Sequence, residues 1–388
     1  MFKRPIILIV IVLLVFAAAA GFWWYWTKWK AAQVVKEPTL ETTTSKNCVN
    51  QQKVEYISYE ETPPLWEKNN KFGLYIYAEE PQLFEVAQKL VNSQGGEWGY
   101  VLIPYNVKDR DPDKWTRVFE QLANKKLIPI IQLWDIDLED YKSQTKKAAQ
   151  FLDSFIWPIK YRYISVYNEP NDARFWYGQV DPENYAEILD FTIKTFKELN
   201  PDFFMINGAF NASAPSDDRH MDEFEYMSKM NEKAPGIFGR LDGWASHPYP
   251  QPNFSGSPND SGRWSIKAYE NELNFLKNQL GVNKDLPVFI TETGWAHAEG
   301  AVYNSSYLPV KEVAQDFEIA FENVWLKDDR VRAVTPFTVR YNPPFDHFSW
   351  VNSDNVPYWH YDYIKSLKKV AGEPPHLKTN IIEVGGCN

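Results

Sequence analysis

The stretch "YRYISVYNEPNDARFWYG", Tyr161–Gly178, decides how the chain is read. Its first half alternates like a β-strand, with Tyr, Ile and Val prominent, and breaks at Asn168-Glu169-Pro170. Pro170 has no N–H to continue a ladder. An apolar strand that ends on an amide and a carboxylic acid calls for a fold whose strand ends open onto a polar site.

The flanking sequence repeats the theme of a short apolar strand followed by an amphipathic helix. Strand candidates are "KFGLYIYAE" from Lys71, "WGYVLIPYN" from Trp98, "KLIPIIQLWD" from Lys126 and "YRYISVYN" from Tyr161. The series continues with "FFMINGAF" from Phe203, "LDGWASHPY" from Leu241, "LPVFITETGW" from Leu286 and "RAVTPFTVRY" from Arg332. In "DPENYAEILDFTIKTFKELNP", Asp181 is placed to cap a helix and Pro182 suits its first turn. Tyr185, Ile188, Leu189, Phe196 and Leu199 form its apolar stripe, with Thr192 the single polar member. "DPDKWTRVFEQLANKK" opens the same way, with Trp115, Val118, Phe119 and Leu122 on the stripe. This order of elements over about 300 residues predicts an α/β fold, a (β/α)8 TIM barrel. A doubly wound open sheet is the runner-up, but neither GxGxxG nor a P-loop is present.

Composition bounds the partners. A formal net charge of -10, with no basic stripe after the first thirty residues, excludes a general nucleic-acid binder. Aromatics make up 16% of the chain, which suits a core of large rings and equally suits sugar binding.

The N-terminus, "MFKRPIILIVIVLLVFAAAAGFWWYWTKWK", carries an uncharged run from Pro5 to Thr27. At ~1.5 Å per residue this run spans a bilayer core of ~30 Å. Trp23, Trp24, Tyr25, Trp26 and Trp29 would form an interfacial belt. Residues 1–30 are therefore read as a transmembrane anchor, with a signal sequence cleaved near Ala17–Ala20 as the alternative. Residues 31–68 read as a linker and 69–388 as the barrel, outside the cytoplasm in either case. The two cysteines, Cys48 and Cys387, flank that barrel. An exported location favours a disulfide between them over two free thiols.

Catalytic groups of such barrels sit at the C-terminal ends of the strands. Glu169 ends strand four, Glu292 in "ITETGW" ends strand seven, and "HPYP" at strand six offers His247 and Tyr249. One carboxylate at a strand end is ordinarily a cap or a salt-bridge partner. Two on facing strands, ringed by Asn, His, Tyr and Trp, point to chemistry.

The ordered set "NEP", "HPY" and "TETGW" resembles the motifs of clan A glycoside hydrolases, the 4/7 barrel superfamily, over about Lys71 to Lys369. Within the clan it is most similar to family thirty-nine (β-xylosidases, α-iduronidases and exopolysaccharide endoglycosidases), then to family five. The resemblance implies a retaining mechanism with Glu169 as general acid/base and Glu292 as nucleophile. It also implies that Asn168 binds the sugar 2-hydroxyl, Tyr249 holds Glu292, and His247 lines the same subsite. The acid must be protonated at rest, which burial or the neighbouring anion would favour. Family five places an arginine beside the nucleophile near an early strand end. Here "VLIPYN" has Pro104 and Tyr105, and Arg340 on strand eight is the candidate for that charge, or else a salt-bridge partner. The aromatic that floors the sugar site is Tyr341 or Trp350.

Further candidates for sugar contacts are Trp134, Trp176 and Trp295, with core packing as the alternative for each. Phe175, Tyr177 and Asp135 are equally divided, and His297 and Glu299 read as cleft or solvated loop. The six histidines are scattered without HExxH, so no metal is expected, and no GxSxG supports a serine hydrolase. No cofactor is implied, and a monomer is expected. The leading expectation is a membrane-anchored retaining glycosidase acting on a β-linked polysaccharide or oligosaccharide. A cell-envelope or exopolysaccharide transglycosylase uses the same two glutamates. A non-catalytic carbohydrate-binding barrel is disfavoured because both carboxylates are present.

Overall fold

The computed structural model describes residues 52–59 and 66–384. The expected anchor, most of the expected linker, and both Cys48 and Cys387 lie outside the described residues. Among the described residues no helix is long and apolar enough to cross a membrane.

Glu55–Asn380 forms one compact unit. Its strands are β1 (Gly73–Tyr75), β2 (Gly99–Asn106), β3 (Leu127–Trp134), β4 (Arg162–Val166), β5 (Phe203–Asn207), β6 (Trp244–Ser246), β7 (Val288–Ile290) and β8 (Val331–Val334). All neighbours pair in parallel, β1 to β5 as a five-stranded sheet and β6 to β8 as a three-stranded one. Isolated parallel bridges close the ring, Ile206 to Gly243 and Asn211 to His247 at the β5/β6 seam and Phe72 to Val334 between β8 and β1. The helices are α1 (Pro81–Val91), α2 (Pro112–Asn124), α3 (Tyr141–Asp153), α4 (Pro182–Leu199), α5 (Glu223–Lys233), α6 (Ala268–Asn278), α7 (Val310–Ile319) and α8 (Trp359–Ser366). The result is the (β/α)8 barrel that the order of motifs predicts.

Local chemistry explains the helix starts. Asp111 accepts the Lys114 amide at 3.0 Å ahead of α2, and Asp181 accepts that of Asn184 at 2.9 Å ahead of α4. Thr192, the one polar member of the α4 stripe, is buried and donates to the Ile188 carbonyl at 2.7 Å. Leu199 departs from the stripe and is exposed, being the last residue of its helix.

The strands separate two apolar layers by their period of two. On β3, Ile128 and Ile130 face the barrel interior with Tyr100, Tyr163, Phe289 and Ala333. Leu127, Ile131 and Leu133 face the helices. Each fully buried side chain of this size contributes about 1.5–3 kcal/mol. Gln132 continues the inward row toward the strands' C-terminal ends, where a polar group replaces the apolar series.

Structure begins earlier than the expected barrel boundary at residue 69. Gln52–Tyr59, placed in the linker, is a strand that pairs with Leu377–Val384. Its alternation in "QKVEYISY" carries the β-branched and aromatic residues that such pairing favours. Trp66 is buried, stacks on Tyr161 at 5.8 Å between centroids, and lies under the Arg332 guanidinium.

Candidate active site

The end of β4 is held in an unusual backbone path. Tyr167 and Glu169 both have positive φ, 72° and 35°, in the region that side chains ordinarily avoid. Packing enforces it: Gly208 at the end of β5 lies so close that an added Cβ would meet the Val166 carbonyl at 2.6 Å and the Tyr167 carbonyl at 2.9 Å. The Glu169 amide donates to the Ala209 carbonyl at 2.9 Å, and its own carbonyl accepts the Asp172 amide at 2.9 Å. This turn aims the Glu169 carboxylate over the barrel mouth.

Glu292 follows β7. Thr291 donates its amide to the Ser246 carbonyl at 3.2 Å, and Thr293 Oγ1 donates to the Pro248 carbonyl at 2.8 Å, which fixes the residue between them. Both glutamates are 8% exposed. A carboxylate oxygen of Glu169, one of Glu292 and a ring nitrogen of His247 all lie within 4.8 Å of one another. His247 Nδ1 is 3.0 Å from Glu169 Oε1 and 3.8 Å from Glu292 Oε2. Opposite a carboxylate, that nitrogen carries the hydrogen. Tyr249 Oη donates to Glu292 Oε2 at 3.1 Å. Gln132 Nε2 donates to Asn168 Oδ1 at 3.0 Å, which leaves the Asn168 amide N–H groups to face the cavity.

Electrostatics follow from burial. The Glu292 carboxyl is pushed up to about 7, chiefly by desolvation; the His247 charge opposes the rise and the Glu169 charge adds to it. Burial alone would lower the His247 imidazole, but the Glu292 charge and the hydrogen bond to Glu169 outweigh it and raise its pKa. Tyr249 is held well above the usual phenol range by burial and by Glu292, so it remains a neutral donor. The sequence argument asked for a proton on Glu169; the raised carboxyl is Glu292. Besides the His247 charge, the Tyr249 hydrogen bond also opposes the rise at Glu292.

The pair lies on the wall of a cavity of about 700 Å3. Of the sequence candidates, Asn168, Glu169, Tyr249, Glu292, Trp134, Arg340 and Tyr341 line it. His247 lies fully buried behind Glu169. Trp176, Trp295 and Trp350 do not reach the cavity: each is 1% exposed. Trp176 donates Nε1 to Asn184 Oδ1, Trp295 donates Nε1 to the Gly256 carbonyl, and Trp350 packs on Phe317. Proximity in sequence to a motif does not set the direction of a ring. Phe175 lines the cavity, and Asp135 instead accepts from Asn106 and pairs with Lys108. Tyr177 is exposed away from the lining. His297 ties the loops after β7 and β8 together through the His347 and Ser349 carbonyls, and Glu299 caps the amide of Val310.

The sequence reading missed Phe337, which lines the cavity just after β8, with Phe348 and Phe254 beside it. Phe337 stands edge-on to Tyr75 at 5.1 Å between centroids. It shares the lining with Tyr341, one of the two aromatics sought there. Asp109, Lys114, Arg174 and Gln132 were also missed.

Glu169, His247 and Glu292 are, among the described residues, the group whose atoms lie close enough to hold a metal ion. The arrangement suits proton transfer and nucleophilic attack at one small centre, with a donor at each carboxylate.

No protein-family model and no curated protein matches the chain in sequence. Solved structures do match in fold. A monomeric beta-xylosidase from Caulobacter crescentus CB15 is 14% identical over 81% of this chain and 70% of that chain, with a TM-score of 0.52. A GH39 beta-xylosidase from Caulobacter crescentus is 16% identical over 76% and 71%, with a TM-score of 0.52. A beta-glucuronidase from Bacteroides uniformis is 12% identical over 77% of this chain and 35% of that chain, with a TM-score of 0.50. The chain has the barrel fold of these clan A glycoside hydrolases.

Proposed function

We propose that the protein is a retaining glycosidase in which Glu169 is the general acid/base and Glu292 the nucleophile. The observation that carries this reading is the pair of buried glutamates, from β4 and β7, with carboxylate oxygens within 4.8 Å on the wall of one cavity. Retaining enzymes hold their carboxyls about 5–5.5 Å apart, whereas inverting ones need about 6.5–9.5 Å to admit water.

In the first step Glu292 attacks the anomeric carbon while Glu169 transfers its proton to the departing oxygen. The glycosidic bond breaks and a glycosyl ester of Glu292 forms. In the second, Glu169 takes a proton from water, whose oxygen displaces Glu292. His247 donates to Glu169 when that residue is the anion, and Tyr249 donates to Glu292 when it leaves. Asn168, fixed by Gln132, is placed to bond the 2-hydroxyl. Glu292 must be ionised to attack, so the first step gains rate as pH rises toward about 7.

The substrate is read as a β-linked glycan and the barrel as anchored outside the cytoplasm by residues 5–27. Carbonate washing of membranes should leave full-length protein in the pellet; release of a shortened protein would indicate a cleaved signal instead.

The test of roles uses Glu169→Ala with a dinitrophenyl glycoside and azide. The expected product is a glycosyl azide of retained configuration, with the loss on natural glycosides roughly 10²–10⁴-fold. Azide rescue of Glu292→Ala with retention would reverse the roles, and full activity in both variants would end the glycosidase reading.

A further inference from the structure

The fold is shared by beta-xylosidases and by a beta-glucuronidase, so fold alone leaves open whether the sugar at the two glutamates is neutral or carries a carboxylate. The cavity's charges bear on this. Among the described residues, its lining includes the cations Lys114, Arg174 and Arg340. Each is already committed to acceptors of the protein. Lys114 Nζ lies 2.8 Å from Asp109 Oδ2 and 3.2 Å from Glu79 Oε2. Arg174 Nε donates to Asp172 Oδ1 and Oδ2 at 3.1 and 2.9 Å, Nη2 also donates to Oδ2, and the guanidinium lies over the Phe175 ring. Asp172 is wholly buried, so pulling the guanidinium away would cost this buried anion most of its side-chain donors, leaving His220 Nε2 at 3.5 Å. Arg340 Nη2 donates to Tyr77 Oη at 2.9 Å, and Nη1 donates to Asn355 Oδ1 at 2.9 Å and the Ser353 carbonyl at 3.2 Å.

With Glu169 holding its proton, Glu79, Asp109 and Glu292 on the same lining match these three cations, so no positive charge is in surplus. Recognition of a sugar carboxylate calls for an ammonium or a guanidinium fork with free donors. An anion placed here would lose its water and face fixed carboxylates, which is a repulsive way of rejecting one ligand class. By contrast, the Phe337 ring offers an apolar face that a neutral pyranose can cover.

Resting on the glycosidase reading, we infer that the site accepts glycosides with an uncharged glycone and rejects uronides. The test compares 4-nitrophenyl β-glucoside with β-glucuronide, which differ only at carbon six, and adds the β-xyloside. The better neutral substrate should exceed the glucuronide by about 100-fold or more in kcat/KM. Glu79→Gln, which leaves Lys114 with a single carboxylate, should narrow that ratio by roughly tenfold. Glucuronide turnover equal to or above that of both neutral substrates overturns the inference. Binding of the three matched methyl glycosides to full-length Glu292→Gln, followed by ligand-observed NMR, separates this inference from the proposed activity. If no glycoside is hydrolysed, the glycosidase reading falls, yet binding of neutral glycosides in preference to the uronide supports the charge inference. Preference for the uronide, or no binding of either neutral glycoside, overturns it.

Discussion

Two pairs of buried glutamates lie on opposite sides of β6, and only one of them faces a cavity. Glu169 and Glu292 stand at the mouth with His247 and Tyr249. Glu223 and Glu272 lie behind the strand, on α5 and α6, and neither lines the cavity. Glu272 accepts from Ser246 Oγ at 2.9 Å and from Trp244 Nε1, and Glu223 accepts from Arg263 Nε at 3.0 Å. Burial pushes Glu272 up to about 7, the same value as Glu292, and raises Glu223 well above the usual carboxylate range. A perturbed carboxyl is thus no mark of catalysis by itself. What distinguishes the pairs is access: one pair meets a cavity and donors that can follow a moving proton, and the other meets only fixed donors.

The sharpest way to break this comparison is Glu292→Gln. Turnover should fall at least roughly 10⁴-fold while the fold persists. Stability should move the other way. A carboxyl raised from 4.5 to about 7 on folding destabilises the protein increasingly as pH rises through that window, and the penalty is complete above it. The melting temperature of Glu292→Gln relative to the parent should therefore be higher at pH 8 than at pH 5, by roughly a few degrees. Equal melting shifts at both pH values would remove the electrostatic difference claimed for this pair.

Tyr249→Phe should cost less, about tenfold in kcat/KM. Loss of its hydrogen bond raises the Glu292 carboxyl further, so the acidic limb of the rate profile should shift to higher pH. An unmoved limb would mean that this limb reports another group.

Glu272→Gln is the counterpart in the closed pair. Turnover should change only a few-fold, because no substrate reaches it. The amide satisfies only one of the Trp244 and Ser246 donors, so the variant should lose about 1–3 kcal/mol near pH 4.5. Wild-type stability falls between pH 4.5 and about 7 as Glu272 ionises, so this deficit should shrink by pH 8. Chemical denaturation at the two pH values checks it. A loss of turnover as large as that of Glu292→Gln would erase the distinction between the pairs.

A modest effect on binding belongs to the rim that only the open pair has. Trp134→Ala should raise KM by about 2–13-fold with kcat little changed.

Much of this was legible in sequence because it follows a period. Strands of alternating character, helices opened by Asp-Pro, and strand ends carrying Glu169, His247, Tyr249 and Glu292 are local patterns, and the barrel places strand ends together. Phe337, Phe254 and Phe348 were not legible, since they lie on irregular segments after β6 and β8 whose path no short-range rule sets. Trp176, Trp295 and Trp350 misled for the related reason that adjacency to a motif says nothing of which side of the backbone a ring takes. Glu223 and Glu272 sit in helices of polar sequence, and only the fold shows them buried. Cys48 and Cys387 remain an expectation that peptide mapping under non-reducing conditions would check.

The two seams of the barrel have a mechanical consequence. Glu169 belongs to the five-stranded arc and Glu292, with His247, to the three-stranded arc; the seams between the arcs are closed by isolated bridges and a few hydrogen bonds, not by a continuous ladder. At both seams a glycine permits the approach: a Cβ on Gly243 would meet Phe204 and Phe289 at 2.9 Å, and one on Gly73 would meet the Val334 carbonyl at 2.8 Å. The gap between acid and nucleophile is therefore set like the jaws of a caliper, by how tightly two rigid pieces close. A methyl group wedged at either glycine, far from any sugar, would reach the chemistry as a change in the jaw setting.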